Sequence, residues 1–80
     1  MAMQQNPYDH TAELLARSVV ERRKRLGLRQ TDLAELADVS TRFVEALEAG
    51  KPTVRLDKVV AVLDALGLRL TVVPLRERRP

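Results

Sequence analysis

Four side chains set close together, Thr41, Arg42, Phe43 and Glu45, carry the chemistry that this sequence could direct at a partner. A guanidinium offers a planar fork of donors that matches O6 and N7 of guanine. A carboxylate can accept from N4 of cytosine, and a threonine can donate to a base or set its methyl against that of thymine. Phe43 has two openings, a thymine methyl or the surface of the preceding helix. All four fall on the first two turns of a short helical segment, and these are the turns that reach base edges when an α-helix enters the major groove of B-DNA by its N-terminal end. Lys51 follows the segment and offers a second contact to a backbone phosphate; a simply solvated lysine is the other reading.

Catalytic chemistry is poorly supplied by comparison. His10 is the single histidine, and there is no cysteine. No second ligand or nucleophile stands near His10, so it reads as a solvated side chain. The sequence holds no His pair, no Gly-rich phosphate loop and no Ser-His-Asp set, and its acidic residues are scattered over amphipathic helices where salt pairing accounts for them. The expectation is a protein that is not an enzyme, with no catalytic residue, no metal and no cofactor.

The elements that must position these groups lie in the run QTDLAELADVSTRFVEALEAG, from Gln30 to Gly50. It reads as two short helices and a tight turn. Leu33, Ala34 and Ala37 form one apolar stripe and Val44 and Leu47 another, each too narrow to be buried alone, so the two helices must pack on each other. Asp38 stands where the chain reverses, and aspartate tolerates the left-handed backbone region better than most residues. Ser40 is a good N-cap for the second helix, which turns Thr41, Arg42, Phe43 and Glu45 away from the core.

On the N-terminal side, a helix is expected from Asp9 or Thr11 to about Leu26, with Ala12, Leu15, Ala16, Val19, Arg23 and Leu26 on one face. Gly27 ends it by taking the left-handed conformation, and Leu28 packs back under the bend. The basic run from Arg22 to Arg25 cannot face one ligand, because successive residues turn by ~100° around the helix, so it reads as mainly solvated. Arg29 stands where the next helix wants a serine or threonine cap, a loss of ~1 kcal/mol that Asp32 in the first turn partly offsets. On the C-terminal side, Pro52 keeps the chain from continuing as helix. A last helix from about Leu56 to Leu66 carries the stripe Leu56, Val59, Val60, Leu63, Leu66 and is stopped by Gly67. Residues 68–73 then alternate, are rich in β-branched side chains and are closed by Pro74, which reads as a strand. A lone strand leaves its N–H and C=O groups unpaired, and the simplest partner is the same strand of a second copy through Leu68, Leu70 and Val72; an irregular apolar arm on the chain's own core is the other reading.

Taken together, Gln30, Leu33-Ala34, Val39-Ser40, Val44, Leu47-Glu48 and Gly50 at this spacing resemble the helix-turn-helix of the lambda-repressor/Cro-like (Xre-type) DNA-binding domains. Arg23, Gly27-Leu28, Lys51-Pro52, Leu56 and Leu66-Gly67 extend the match over residues 15–73. The resemblance implies an all-α domain of four to five helices, here with a short C-terminal β-strand for dimerisation. It implies an ion pair from Arg23 to Glu48 tying the first helix to the third. It also implies a phosphate contact from Gln30, at a helix N-terminus that itself favours an anion, with Ser40 and Lys51 beside it. Arg29 and Asp38, where the family has a Ser or Thr cap and often a glycine, are departures that lower stability without changing the fold. A strand after the fourth helix is similar to the HipB-type antitoxin branch. That similarity implies a repressor that autoregulates its operon and partners a HipA-type kinase toxin; a stand-alone Xre-family regulator and an interaction adaptor without DNA binding are the alternatives.

Composition sets the outer bounds. Eighty residues make one small domain, near the size at which a single core only just suffices, so oligomerisation is expected on that ground too. Net charge of +3 and a pI near 10 suit a polyanion without identifying one. The absence of cysteine, of an apolar run long enough for a membrane and of a signal-like N-terminus leads to an expectation of a soluble cytoplasmic protein with no small-molecule substrate. The organisation expected is a flexible segment at 1–8, the DNA-binding domain at 9–67, the dimer strand at 68–74 and a basic tail at 75–80, reading an inverted-repeat operator in double-stranded DNA.

Overall fold

The structure is a computed structural model and describes residues 7–74. Four helices follow in order: α1 (Pro7–Arg25), α2 (Gln30–Ala37), α3 (Thr41–Glu48) and α4 (Leu56–Ala65). The first begins at Pro7, two residues ahead of Asp9 and four ahead of Thr11, because a proline in the first helical turn has no N–H to leave unsatisfied and its φ is already helical. The expected flexible segment therefore shrinks at its C-terminal end, and its remainder, residues 1–6, lies outside the described residues, as does the expected tail at 75–80.

All four helices end in one way. The residue after the last turn takes positive φ, and its own N–H and that of the next residue fold back onto the helix's final carbonyls. In α1, Gly27 N donates to Lys24 O and Leu28 N to Arg23 O, both at 3.0 Å. In α2 the same role falls to Asp38, at φ 58°, with Asp38 N donating to Glu35 O and Val39 N to Ala34 O. Asp38 is the sole residue other than glycine at positive φ among the described residues. This turn sets the angle between α2 and α3.

Leu33, Ala34 and Ala37 of α2 and Val44 and Leu47 of α3 are buried, as the pattern requires, and α2 packs on both α3 and α4 while α1 packs on α3. Val19 of α1 and Val62 and Leu66 at the end of the chain's last helix close the core. Each such Leu or Val contributes ~1.5–3 kcal/mol by leaving water, which is what holds helices of only eight residues.

Three expected core positions are corrected. Leu26 lies past the end of α1 and is exposed, its place taken by Leu28. On α4, Leu56 and Val60 are 64% and 48% exposed, and the buried stripe is Val59, Val62, Leu63 and Leu66. The sequence LDKVVAVLDAL offers two apolar stripes one step apart, and contact with α2 selects one of them, leaving the other at the surface. Residues 68–74 have no regular secondary structure, and apart from Leu68 N bonding to Leu63 O, no backbone hydrogen bond engages them among the described residues. Leu68 packs against the core, while Leu70, Val72 and Val73 are exposed. The physical reason is plain: one chain has nothing for this segment to ladder with.

Candidate nucleic-acid interface

Ser40 begins α3 with extended backbone, φ −77° and ψ 154°, and its hydroxyl accepts from Phe43 N at 3.0 Å. That bond satisfies one of the first-turn donors. With Val44 and Leu47 fully buried, Arg42 and Glu45 are left exposed and Thr41 half-exposed, so the three base-reading candidates share the outer edge of one helix.

The far end of α3 is anchored by Glu48. Its carboxylate accepts from Arg23 Nε at 2.6 Å and Arg23 Nη2 at 2.9 Å, the bidentate geometry that suits guanidinium and carboxylate. Side-chain exposure is 12% for Arg23 and 6% for Glu48, so the pair is shielded from water and from salt. Arg23 Nη1 also donates to Leu28 O at 2.9 Å, and the hydrogen bond to Glu48 holds the guanidinium above its ordinary pKa. The ion pair that the resemblance implied thus ties α1, the turn after it and α3 into one unit.

A third donor completes this site. Gln30 Nε2 gives a hydrogen bond to Glu48 Oε1 at 2.9 Å, so the first residue of α2 is oriented by the last residue of α3. Sequence reasoning treated Gln30 as outward-facing alone and missed this bond. No local pattern could have found it, because the two residues are brought together by the Asp38 turn. At the same helix end, Arg29 offers no acceptor for a cap, and Asp32 compensates: its Oδ2 accepts from Arg29 N at 2.8 Å, and both carboxylate oxygens pair with the Arg29 guanidinium. The bond from the Arg29 side chain, then that from its backbone, lowers the Asp32 pKa.

The basic run at the end of α1 divides by function. Arg22 Nε donates to Leu66 O at 2.8 Å, closing the C-terminal end of α4, and Arg23 is spent on Glu48; Lys24 and Arg25 face solvent. The run is thus not a patch.

Phe43, expected to turn away from the core, is instead packed partly against it. It is half-buried, packs on the core, and has Lys58 Nζ of α4 over its ring, 5.9 Å from the centroid. Along this flank of α3 runs an open groove lined by Ser40, Arg42, Phe43, Lys51, Arg55 and Lys58, among other residues. Arg55 and Lys58 were not singled out in the sequence, where they lie in a different helical region from Arg42 and share no period with it.

A four-helix domain in which α2 and α3 meet across a tight turn, with the polar edge of α3 left open, is a helix-turn-helix. Residues 19–73 match the family described as Helix-turn-helix, which covers most of the chain. The uncharacterized HTH-type transcriptional regulator y4mF of Sinorhizobium fredii is 47% identical over 57 residues, 71% of this chain and 75% of that protein. The chain belongs to the helix-turn-helix family of transcriptional regulators.

Proposed function

We propose that this chain is a sequence-specific DNA-binding repressor that works as a homodimer on an inverted-repeat operator. The observation that carries the reading is the outer edge of α3: Thr41, Arg42 and Glu45 stand exposed on a helix whose two ends are fixed by Ser40 and by the Arg23–Glu48–Gln30 cluster. Rigidly held donors and acceptors on leading helical turns are what direct readout of the major groove requires. Phosphate contacts fall to Lys51, to the Ser40 hydroxyl, whose proton is not used by its cap bond, and to the second amide N–H of Gln30. Phe43 is left a supporting role on the protein side.

The dimer is supported by exposed apolar side chains that have no use in a monomer. Leu56 and Val60 on α4 and Leu70 beyond it line a single surface hollow, and the alternating segment 68–73 continues from there with unpaired backbone. A two-stranded ribbon between copies satisfies both. The narrower assignment, to the antitoxin of a HipBA-like type II pair with a HipA-type kinase toxin as partner, is supported by the similarity of that segment to the HipB-type dimer strand. The second reading, a stand-alone regulator, is favoured by the description of the Sinorhizobium relative as a transcriptional regulator. Co-expression with the neighbouring reading frame separates them: co-purification of a kinase supports the antitoxin, and its failure leaves the stand-alone regulator.

Selecting duplexes from a random library on the full chain, then footprinting the best of them, tests the main reading. Two half-sites related by a dyad, with centres about 34–36 Å apart, are expected because protein symmetry is mirrored in the operator. A single unpaired half-site rejects the dimeric mode, and no enrichment at all rejects sequence-specific binding.

A further inference from the structure

The groove beside α3 has a charge pattern that base reading does not explain. Arg42 and Phe43 border it on one side, Lys51 follows α3 across the loop, and Arg55 and Lys58 close it at the start of α4. Every titratable side chain lining it is a base. Arg55 is already paired with Asp57, at 2.7 and 3.1 Å, but none of Arg42, Lys51 and Lys58 has an ion-pair partner among the described residues. Lys58 is also the best positioned of these, for its ammonium lies over the Phe43 ring, where the quadrupole attracts a cation and limits the wandering of an otherwise flexible side chain.

We propose that Lys58 clamps the sugar-phosphate strand flanking the major groove into which α3 reads, and that Phe43 is the positioning residue that holds it there. The inference rests on the DNA-binding reading above. Because the Phe43 ring is carried by α3 and packed on the core, the phosphate-gripping charge moves rigidly with the base-reading edge. Insertion of α3 and engagement of the strand then occur in one register. The face of the ammonium turned away from the ring keeps its N–H donors for phosphate oxygens, so the two contacts do not compete. Phe43 thereby acts on DNA without touching it.

The salt dependence of binding isolates this contact, since each phosphate neutralised adds about 0.9 to the slope of log affinity against log salt. The full chain and its variants are titrated, at several salt concentrations, with a duplex selected by the wild-type protein and with a scrambled duplex. Lys58→Gln is expected to flatten the slope by about 0.9 per bound subunit on both duplexes, with discrimination between them kept. Phe43→Leu, which keeps an apolar side chain but removes the ring, is expected to lose much of the same slope, and Lys58→Gln added to it to lose little more. Phe43→Tyr retains the ring and restores the wild-type slope. If Lys58→Gln binds with the unchanged slope, the clamp is wrong although the DNA-binding reading stands; if wild type binds neither duplex, that reading itself has failed. Full slope in Phe43→Leu, with the slope lost in Lys58→Gln, overturns the positioning role of the ring. Circular dichroism on each variant confirms that it is folded, and Phe43→Met replaces Phe43→Leu should the latter unfold.

Discussion

At the scale of single residues, Glu48 accepts from Arg23 twice and from Gln30 once, and its side chain is 6% exposed where those of the paired Asp32 and Asp57 are 31% and 64% exposed. Such a site is intolerant of a change that keeps charge but alters geometry. Arg23→Lys retains the positive charge, yet an ammonium is a point donor and cannot bond both oxygens of Glu48 while also reaching Leu28 O. We expect destabilisation of roughly 2 kcal/mol, short of the ~3–5 kcal/mol of a fully broken buried pair, read by urea denaturation. A loss below experimental error would mean that the cluster is ornamental. Part of this residue-level picture was legible beforehand. Ser40, Asp38 and the Arg23–Glu48 pair are visible because each depends on local turn chemistry or on a family pattern of fixed spacing. The bond from Gln30 to Glu48 and the contact of Lys58 with Phe43 join residues that only the assembled fold brings near, and neither side chain announces its partner by type.

At the scale of the elements, the short helices depend on their ends. The α2 N-terminus lacks a capping side chain at Arg29 and relies on Asp32, whose folded-state pKa is lowered by its bonds to Arg29. Asp57, bonded chiefly to Arg55 at the start of α4, is lowered in the same sense. A carboxyl with a depressed folded pKa adds stability that is fully present above its unfolded value, near 3.9, and disappears as the pH falls through the lower folded value. Stability should therefore decline on acidification below about pH 4. Asp32→Asn should be less stable than wild type at neutral pH, with the gap closing as acid protonates the aspartate in the wild type. Thermal melts across that range check this, and a constant gap would assign the effect to the side-chain amide rather than to charge. The helices themselves were readable from apolar period and end signals, except for the start of α1, which lies two residues ahead of Asp9 and four ahead of Thr11, and for the face of α4. There the sequence contains two equivalent stripes, and the choice between Leu56/Val60 and Val59/Val62 is made by contact with α2, a long-range fact absent from any local pattern.

At the scale of the whole molecule, the surplus stripe of α4 and the segment 68–73 belong to one argument. Exposed Leu56, Val60, Leu70 and Val72 and an unpaired alternating backbone are costly features for a small protein to carry alone. Ending the chain after Gly67 should convert a dimer to a monomer at micromolar concentration, by light scattering, while leaving the helical circular dichroism spectrum nearly intact. A truncated chain that stays as dimeric as the full one would move the interface to α4 alone.

The central claim is that the edge of α3 reads sequence while its surroundings grip the backbone, and one comparison tests it directly. Gln30→Ala is a poor control, since it also removes one of the two donors to Glu48 Oε1, so Lys51→Ala serves as the backbone variant because Lys51 is exposed and takes no side-chain bond among the described residues. Both are titrated against the selected operator and a scrambled duplex. Arg42→Ala should cost ~1–3 kcal/mol on the operator and far less on the scrambled duplex, whereas Lys51→Ala should weaken both by a similar factor. Equal losses on both duplexes for Arg42→Ala would contradict the account, making Arg42 a backbone contact and leaving Thr41 and Glu45 as the only groups on α3 that could read bases.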